Sequence, residues 1–219
     1  MPPLPIARQL PGELRSVLCV GAHADDIEIG CGGTMLSLTR DNPALRVDWV
    51  VLSAEDERAD EARAGAARVL ETSKDTHVRI EQFPQRYFPA AFADLKRYFD
   101  ELGRTTAPDL VFCPRLEDAH QDHRMVAELV WQTFRSQVVL EYEIIKYEGD
   151  LGHPTVFIEL STELVDAKLR LLDEVFVSQR ERYWFTEDTF RGLLRIRGVE
   201  CRASSGFAEA FHARKLLLW

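Results

Sequence analysis

The chain predicts an α/β fold: a single-domain, Rossmann-like three-layer sandwich with a mostly parallel sheet and helices on both faces. Three observations carry this expectation. Short, continuously apolar runs recur along the chain, the pattern of strands covered on both sides. The segments between them carry apolar residues at helical spacing. The 219 residues contain no internal repeat, low-complexity tract or Gly-, Ser- or Pro-rich linker. Residues 1–219 are therefore read as one domain, with residues 1–14 as an N-terminal extension.

The elements follow in order. Residues 16–21 (Ser-Val-Leu-Cys-Val-Gly) form the first apolar run, followed by a polar turn and by Gly32-Gly33, which open a helix through Met35, Leu36 and Leu38. Residues 46–52 read as a second strand, and Ala62, Ala66, Val69 and Leu70 mark one face of the helix after it. Residues 77–83 alternate like a strand. Phe88, Phe92, Leu95, Phe99 and Leu102 then recur at helical spacing, with Pro89 suited to a first turn. Residues 109–113 are the next buried strand, stopped by Pro114, and Val126, Leu129, Val130, Thr133 and Phe134 mark another helix. Residues 143–147 and 155–160 read as further strands, and Val165, Leu169, Leu172 and Phe176 as a late amphipathic helix.

Composition narrows the function classes. A formal charge of −9 argues against a broad grip on nucleic acid or on an anionic membrane, since both need a basic face. No apolar run approaches the ~20 residues that span a bilayer. The first residues hold three early prolines and no cationic segment leading into an apolar core, unlike a secretory signal. Cys19, Cys31, Cys113 and Cys201 include no C-x-x-C pair, and two of them sit inside strand-like runs as small hydrophobes. Free thiols in a reducing, cytoplasmic compartment are the expectation.

In open α/β sheets ligands sit outside the carboxyl ends of the strands. Ala22-His23-Ala24-Asp25-Asp26-Ile27-Glu28 follows the first strand directly, and Glu117-Asp118-Ala119-His120-Gln121-Asp122-His123-Arg124 follows the strand that ends at Cys113. Three of the chain's six histidines lie in these two stretches. A hydrolytic zinc takes three ligands from His, Asp or Glu and keeps a fourth position for water. His23 and Asp26 offer two ligands from one turn, and a histidine of the second cluster offers the third. Asp25 is then a spare carboxylate for general-base work, and His120 a spare imidazole for an oxyanion or a leaving group. Paired aspartates alone also suit a solvated turn. Gly30-x-Gly32-Gly33 lacks the spacing of a phosphate loop, and Cys31 reads as structural. A two-metal phosphoester hydrolase needs more bridging carboxylates than these clusters hold, and a mere binding protein needs neither Asp25 nor His120.

The stretch Gly21-Ala-His-Ala-Asp-Asp-Ile-Glu-Ile-Gly-Cys-Gly-Gly-Thr34 resembles the first motif of the PIG-L/LmbE-like zinc-dependent deacetylases, and His120-Gln-Asp-His-Arg124 resembles their H-x-D-H motif. The family includes deacetylases of N-acetylglucosaminyl-phosphatidylinositol, of thiol-cofactor precursors, of chitin disaccharide and of antibiotic intermediates. The resemblance implies one Zn²⁺ per chain held by His23, Asp26 and His123. It implies Asp25 as general base, His120 as the group that stabilises the oxyanion or protonates the leaving nitrogen, and Asp122 as the residue that orients His120. Arg58, at the head of a similar helix, is implied as a substrate contact. The implied substrate is a small N-acylated amino sugar or glycoconjugate, with no nucleic acid and no membrane span. Small members of the family often assemble as homo-oligomers. One departure stands in the first motif: Ala24 occupies the place of the usual proline, which leaves the ligand loop less stiff.

Overall fold

The computed structural model describes residues 14–216, so the expected N-terminal extension lies, all but its last residue, outside the described residues. Seven strands form one sheet: β1 (Ser16–His23), β2 (Arg46–Ser53), β3 (Asp75–Ile80), β4 (Leu110–Pro114), β5 (Val138–Tyr142), β6 (Val156–Glu159) and β7 (Ala208–His212). Their spatial order is β3-β2-β1-β4-β5-β7-β6. The first five are parallel, while β7 runs antiparallel to both β5 and β6. The helices are α1 (Asp26–Asp41), α2 (Asp56–Val69), α3 (Phe92–Thr105), α4 (Gln121–Thr133), α5 (Thr162–Val175) and α6 (Glu187–Cys201).

Alternation along the strands divides the core in two. Val17 and Cys19 of β1, with Val47, Trp49 and Val51 of β2, face α1, α2, α5 and α6. Leu18, Val20 and Ala22, with Val50 and Leu52, face Leu95 and Phe99 of α3 and Val126 and Leu129 of α4. The expected three-layer sandwich is what forms. Among the described residues, no helix is long and apolar enough to cross a membrane.

Because β2 and β4 both flank β1, the chain winds one way through β2 and β3 and the other way through β4 and β5. A crevice therefore opens at the carboxyl ends of β1 and β4, the place where such sheets bind ligands. Both polar clusters emerge there.

Helix α1 is bent to fit. Cys31 departs from helical geometry (φ −139°, ψ 16°), which frees the Ile29 carbonyl to accept from Lys168 Nζ at 2.5 Å. Glu209 of β7 then caps the second half of α1, accepting from the amides of Gly33 and Thr34 at 2.8 and 2.7 Å. Gly30 lies flat on the Tyr142 ring, where a Cβ would come within 2.2 Å. Gly30 thus serves packing of the bent helix against β5, and Gly33 its approach to Leu160 and Glu209.

Several sequence expectations are corrected. Residues 143–147 are not a strand; the strand is Val138–Tyr142, and the apolar run continues past it as a loop. The chain leaves the sheet where Glu143 turns to pair with Arg197 at 2.8 Å and to accept from the Gly152 amide at 3.0 Å. Pro89 lies in turns ahead of α3, which starts at Phe92. In the acidic run from Glu55 to Glu61, Glu61 is buried and accepts from Arg58 and Ser178. Helix α6 and strand β7 carry weak sequence signals: the apolar residues of α6 are interrupted by six charged ones, and three of the five residues of β7 are alanine or histidine.

Candidate metal centre and active site

The end of β1 and the start of α1 make a tight corner. Asp26, the first residue of α1, turns its Oδ2 back to accept from the amides of Ala22 and His23, both at 2.9 Å. Backbone geometry therefore fixes the carboxylate beside the His23 ring. At the end of β4 the chain passes through Asp118 to His120, whose Nδ1 caps α4 by accepting from the Asp122 amide at 3.2 Å. Asp122 and His123 then project from the first turn of α4, and both are buried.

Three donor atoms converge. His23 Nδ1 lies 3.1 Å from His123 Nε2 and 3.6 Å from Asp26 Oδ2, and His123 Nε2 lies 3.4 Å from the same oxygen. A tetrahedral zinc with bonds of ~2.0–2.1 Å separates its ligands by about 3.3–3.4 Å. The triangle therefore has the dimensions of one face of such a tetrahedron. Its chemistry agrees: two imidazole nitrogens facing each other at 3.1 Å need a proton or a cation between them. The His120 ring also comes close, with a nitrogen within 4.8 Å of the other two histidines. Asp26 makes the tighter set, and the His120 Nδ1 is already occupied by the Asp122 amide, so the proton of a neutral His120 sits on Nε2.

Each candidate histidine ligand is held from behind by a carboxylate, as metal-binding histidines commonly are. His23 Nε2 meets Asp122 Oδ2 at 3.2 Å, and His123 Nδ1 meets Asp118 Oδ2 at 3.0 Å. Asp122 also accepts from the amides of Arg86 (2.5 Å) and Phe88 (3.2 Å), with Arg86 in left-handed backbone (φ 71°). Asp118 accepts from Lys146 Nζ at 3.0 Å. The carboxylate of Asp122 is thus on His23, and only its backbone amide touches His120. Sequence reasoning left Asp118 and Lys146 unassigned. For Asp118 a signal was present, since it stands inside the second cluster; Lys146 gives none, lying in a separate loop.

Asp25 stands next to this group as the residue capping α1, and its Oδ1 is 2.9 Å from Arg58 NH2. Arg58 gives NH1 to Glu61 (2.6 Å) and Ser178 (3.2 Å), and its guanidinium lies 5.7 Å from the Phe176 ring centroid. Both of its terminal nitrogens are engaged by the protein, NH2 by Asp25.

The electrostatics follow from these contacts. Burial works against a charged His23, but Asp26 and Asp122 overcome it and push its pKa up to about 10. Burial also opposes ionisation of Asp26, yet His123 and His23 hold it below the usual carboxylate range. The corner is therefore built to hold positive charge, and a proton and a metal ion compete for it. Burial, followed by the neighbouring His123 and His23, lowers His120 to about 4, so it stands as a neutral donor. Asp118 is brought down to about 2 against its burial, by His123 and Lys146. Burial raises Asp25, with Arg58 opposing that rise and Asp26 adding to it.

Another histidine and several aromatic residues lie apart from the cluster. His153 is an exposed loop residue. Trp184 packs edge-on against Phe190 and Tyr147, whereas Tyr183 is exposed and is not core. Cys31 is fully buried, among the core residues.

The profile of the PIG-L family, described as GlcNAc-PI de-N-acetylase, matches residues 18–134, more than half of the chain and both clusters. The fold is shared with solved structures at low identity. A conserved protein, TT1542, from Thermus thermophilus is 18% identical over 93% of this chain and 96% of its own, with a TM-score of 0.72. The N,N'-diacetylchitobiose deacetylase of Pyrococcus horikoshii is 20% identical over 91% of this chain and 83% of its own, with a TM-score of 0.66. The 4-carboxy-2-hydroxymuconate hydratase GalB of Pseudomonas putida is 17% identical over 93% and 97%, with a TM-score of 0.74. A deacetylase and a hydratase on one fold mean that the side chains, and not the fold, must carry the reading of the reaction.

Proposed function

Since the chain belongs to the PIG-L family, we propose that it is a zinc-dependent hydrolase that removes an N-acetyl or other N-acyl group from an amino sugar or glycoconjugate. The observation that carries this reading is the triangle of His23 Nδ1, His123 Nε2 and Asp26 Oδ2, with edges of 3.1 to 3.6 Å. These three residues would hold one Zn²⁺ per chain. Bound there, zinc supplies a Lewis acid for the amide carbonyl and makes water acidic enough to lose a proton near neutral pH.

The remaining roles fall to the protein's own groups. Asp25 accepts a proton from the attacking water as general base, and Arg58 holds its carboxylate in place and favours its ionised form against burial. His120 directs its Nε2 proton at the oxygen that gains charge, a donor of a kind worth about 3–4 kcal/mol to a transition state, and Asp25 hands the proton it took from water to the departing nitrogen. Asp122 orients His23 through its carboxylate and His120 through its amide. Arg58 is assigned to Asp25 in preference to the substrate, because its guanidinium is already engaged. The whole chain is taken as one domain of this family.

The test is a panel of N-acetylated sugars and sugar conjugates, assayed for free amine with and without a chelator, alongside metal content per chain. Chelator-sensitive amine release with one zinc per chain supports the reading. A chain that binds no zinc and releases no amine, or one that hydrates an unsaturated acid as the structurally similar hydratase does, defeats it.

A further inference from the structure

Behind His123 a chain of short contacts runs away from the cluster into the loop between β5 and β6. His123 Nδ1 meets Asp118 Oδ2 at 3.0 Å, and the same oxygen meets Lys146 Nζ at 3.0 Å. Lys146 Nζ in turn meets Asp150 Oδ2 at 2.9 Å and the Ile144 carbonyl at 3.4 Å. Asp150 closes the circuit: its Oδ2 accepts from the Ala119 amide at 2.6 Å, and its carbonyl accepts from Arg115 at 2.6 Å. Further along, the Gly152 carbonyl accepts from Arg197 at 3.1 Å, and a Cβ at Gly152 would stand 2.6 Å from the Arg115 guanidinium. The Lys146 side chain is 8% exposed and that of Asp118 4%.

An ammonium so buried is costly unless paired, and here two carboxylates share it. One of them orients a candidate metal ligand; the other belongs to an irregular loop that carries Tyr147, a residue 64% exposed and edge-on to Trp184. Without the ammonium, Asp118 and Asp150 would face each other as like charges. Repulsion would drive the loop outward, and the pull on Asp118 that keeps the His123 Nδ1 proton facing it would weaken. We infer that Lys146 is a positioning residue that ties residues 147–152 to the orientation of His123, so that docking of this loop and affinity for zinc rise and fall together. The inference rests on the zinc reading above and adds to it a link between metal and the rim of the cleft.

The test uses the full chain and its Lys146→Met, Asp150→Asn and double variants. Zinc affinity is measured by competition with a chelator, ligand geometry by the visible absorption of Co²⁺ loaded in zinc's place, and loop docking by amide exchange of residues 147–152 with and without zinc. Lys146→Met is expected to bind zinc about ten-fold more weakly, within the 10–100-fold range of residues behind a metal ligand. Its Co²⁺ spectrum changes, and zinc no longer slows exchange in the loop. Asp150→Asn keeps an acceptor for the Ala119 amide and removes only the charge, so it shows a smaller loss of about three-fold. The double variant binds no more weakly than Lys146→Met alone, because the path is already cut. Zinc affinity within two-fold of the original chain in Lys146→Met, with an unchanged Co²⁺ spectrum, overturns the inference; so do losses that add in full in the double variant. If Lys146→Met does not fold, Asp150→Asn decides by its affinity and loop exchange. An original chain that takes up neither metal defeats the zinc reading itself, an outcome distinct from normal binding with unaffected variants.

Discussion

The Arg58 guanidinium lies 2.9 Å from the Asp25 carboxylate and gives its remaining contacts to Glu61, Ser178 and the face of Phe176. A buried carboxyl meant to accept protons faces a conflict: burial raises its pKa, yet it must be ionised to act. Arg58 works against that rise, and Glu61 with Ser178 fixes Arg58.

The pH profile of amine release should expose this arrangement. With Arg58→Met, burial and Asp26 raise Asp25 with only His23 and a backbone hydrogen bond opposing them, so the carboxyl stays protonated to higher pH. The acid limb of kcat/KM then moves upward in pH, with zinc content unchanged because Arg58 touches none of the three donors. Asp25→Asn should retain zinc and lose turnover by ~10²–10⁴. An acid limb that stays where it was in Arg58→Met removes Arg58 from this role.

The donor triangle makes a separate forecast. His23→Ala and His123→Ala each delete one corner and should abolish stoichiometric zinc binding. Asp118→Asn leaves the corner but weakens the hold on His123, which should cost ~10–100-fold in zinc affinity. A ligand that binds only the folded chain stabilises it, so on the zinc proposal adding Zn²⁺ to chelator-treated protein should raise Tm in the original chain and leave Tm unmoved in the two alanine variants. Full zinc occupancy in His123→Ala would sink the ligand assignment.

Much of this architecture can be read in the chain itself. The residues of both clusters are contiguous in sequence and follow apolar runs, so strand, corner and donors are visible together at residues 16–28 and 109–124. What stays hidden is the partnering across loops. That the Asp122 carboxylate reaches His23 and not His120 depends on how α4 meets β1, 99 residues away in sequence. Lys146 comes to Asp118 only because the chain leaves the sheet at Glu143, drawn to an arginine on α6. Arg58 looks like a free cation at a helix start until Glu61 and Ser178 are found beside it. Strand β5 was misread because Ile144 and Ile145 prolong its apolar run beyond the last sheet bond.

Packing of the bent helix supplies a stability forecast. A methyl group at residue 30 would stand 2.2 Å from the Tyr142 ring, whose hydroxyl donates to the Val20 carbonyl at 2.7 Å. Gly30→Ala must push α1 off β5 or turn the ring out of that bond. Overpacking of this kind costs typically ~1–3 kcal/mol, which urea denaturation resolves. Gly192→Ala, where nothing lies within 4 Å, serves as the control and should be neutral or slightly stabilising. Equal midpoints for the two variants would argue that the close approach is not a constraint.

Glu28 leads to the last forecast. It is fully buried, and neither carboxyl oxygen has a hydrogen-bond partner. Burial pushes its pKa well above the ordinary value of 4.5; Asp25 and Asp26 add to the rise, and Arg58 opposes it. The folded chain therefore keeps this carboxyl protonated where the unfolded chain has already ionised it. Below pH 4.5 both states hold the proton and the group exacts nothing. As pH climbs from 4.5 towards the folded value, each unit lowers the unfolding free energy by ~1.4 kcal/mol. Glu28→Gln keeps the shape and removes the titration, at a constant cost for an unpartnered amide. Urea unfolding of the zinc-free protein at pH 4, 6 and 8 should show the variant gaining on the original chain at each step upward. Two stability curves that run parallel from pH 4 to 8 would mean that Glu28 is ionised or paired in the folded protein.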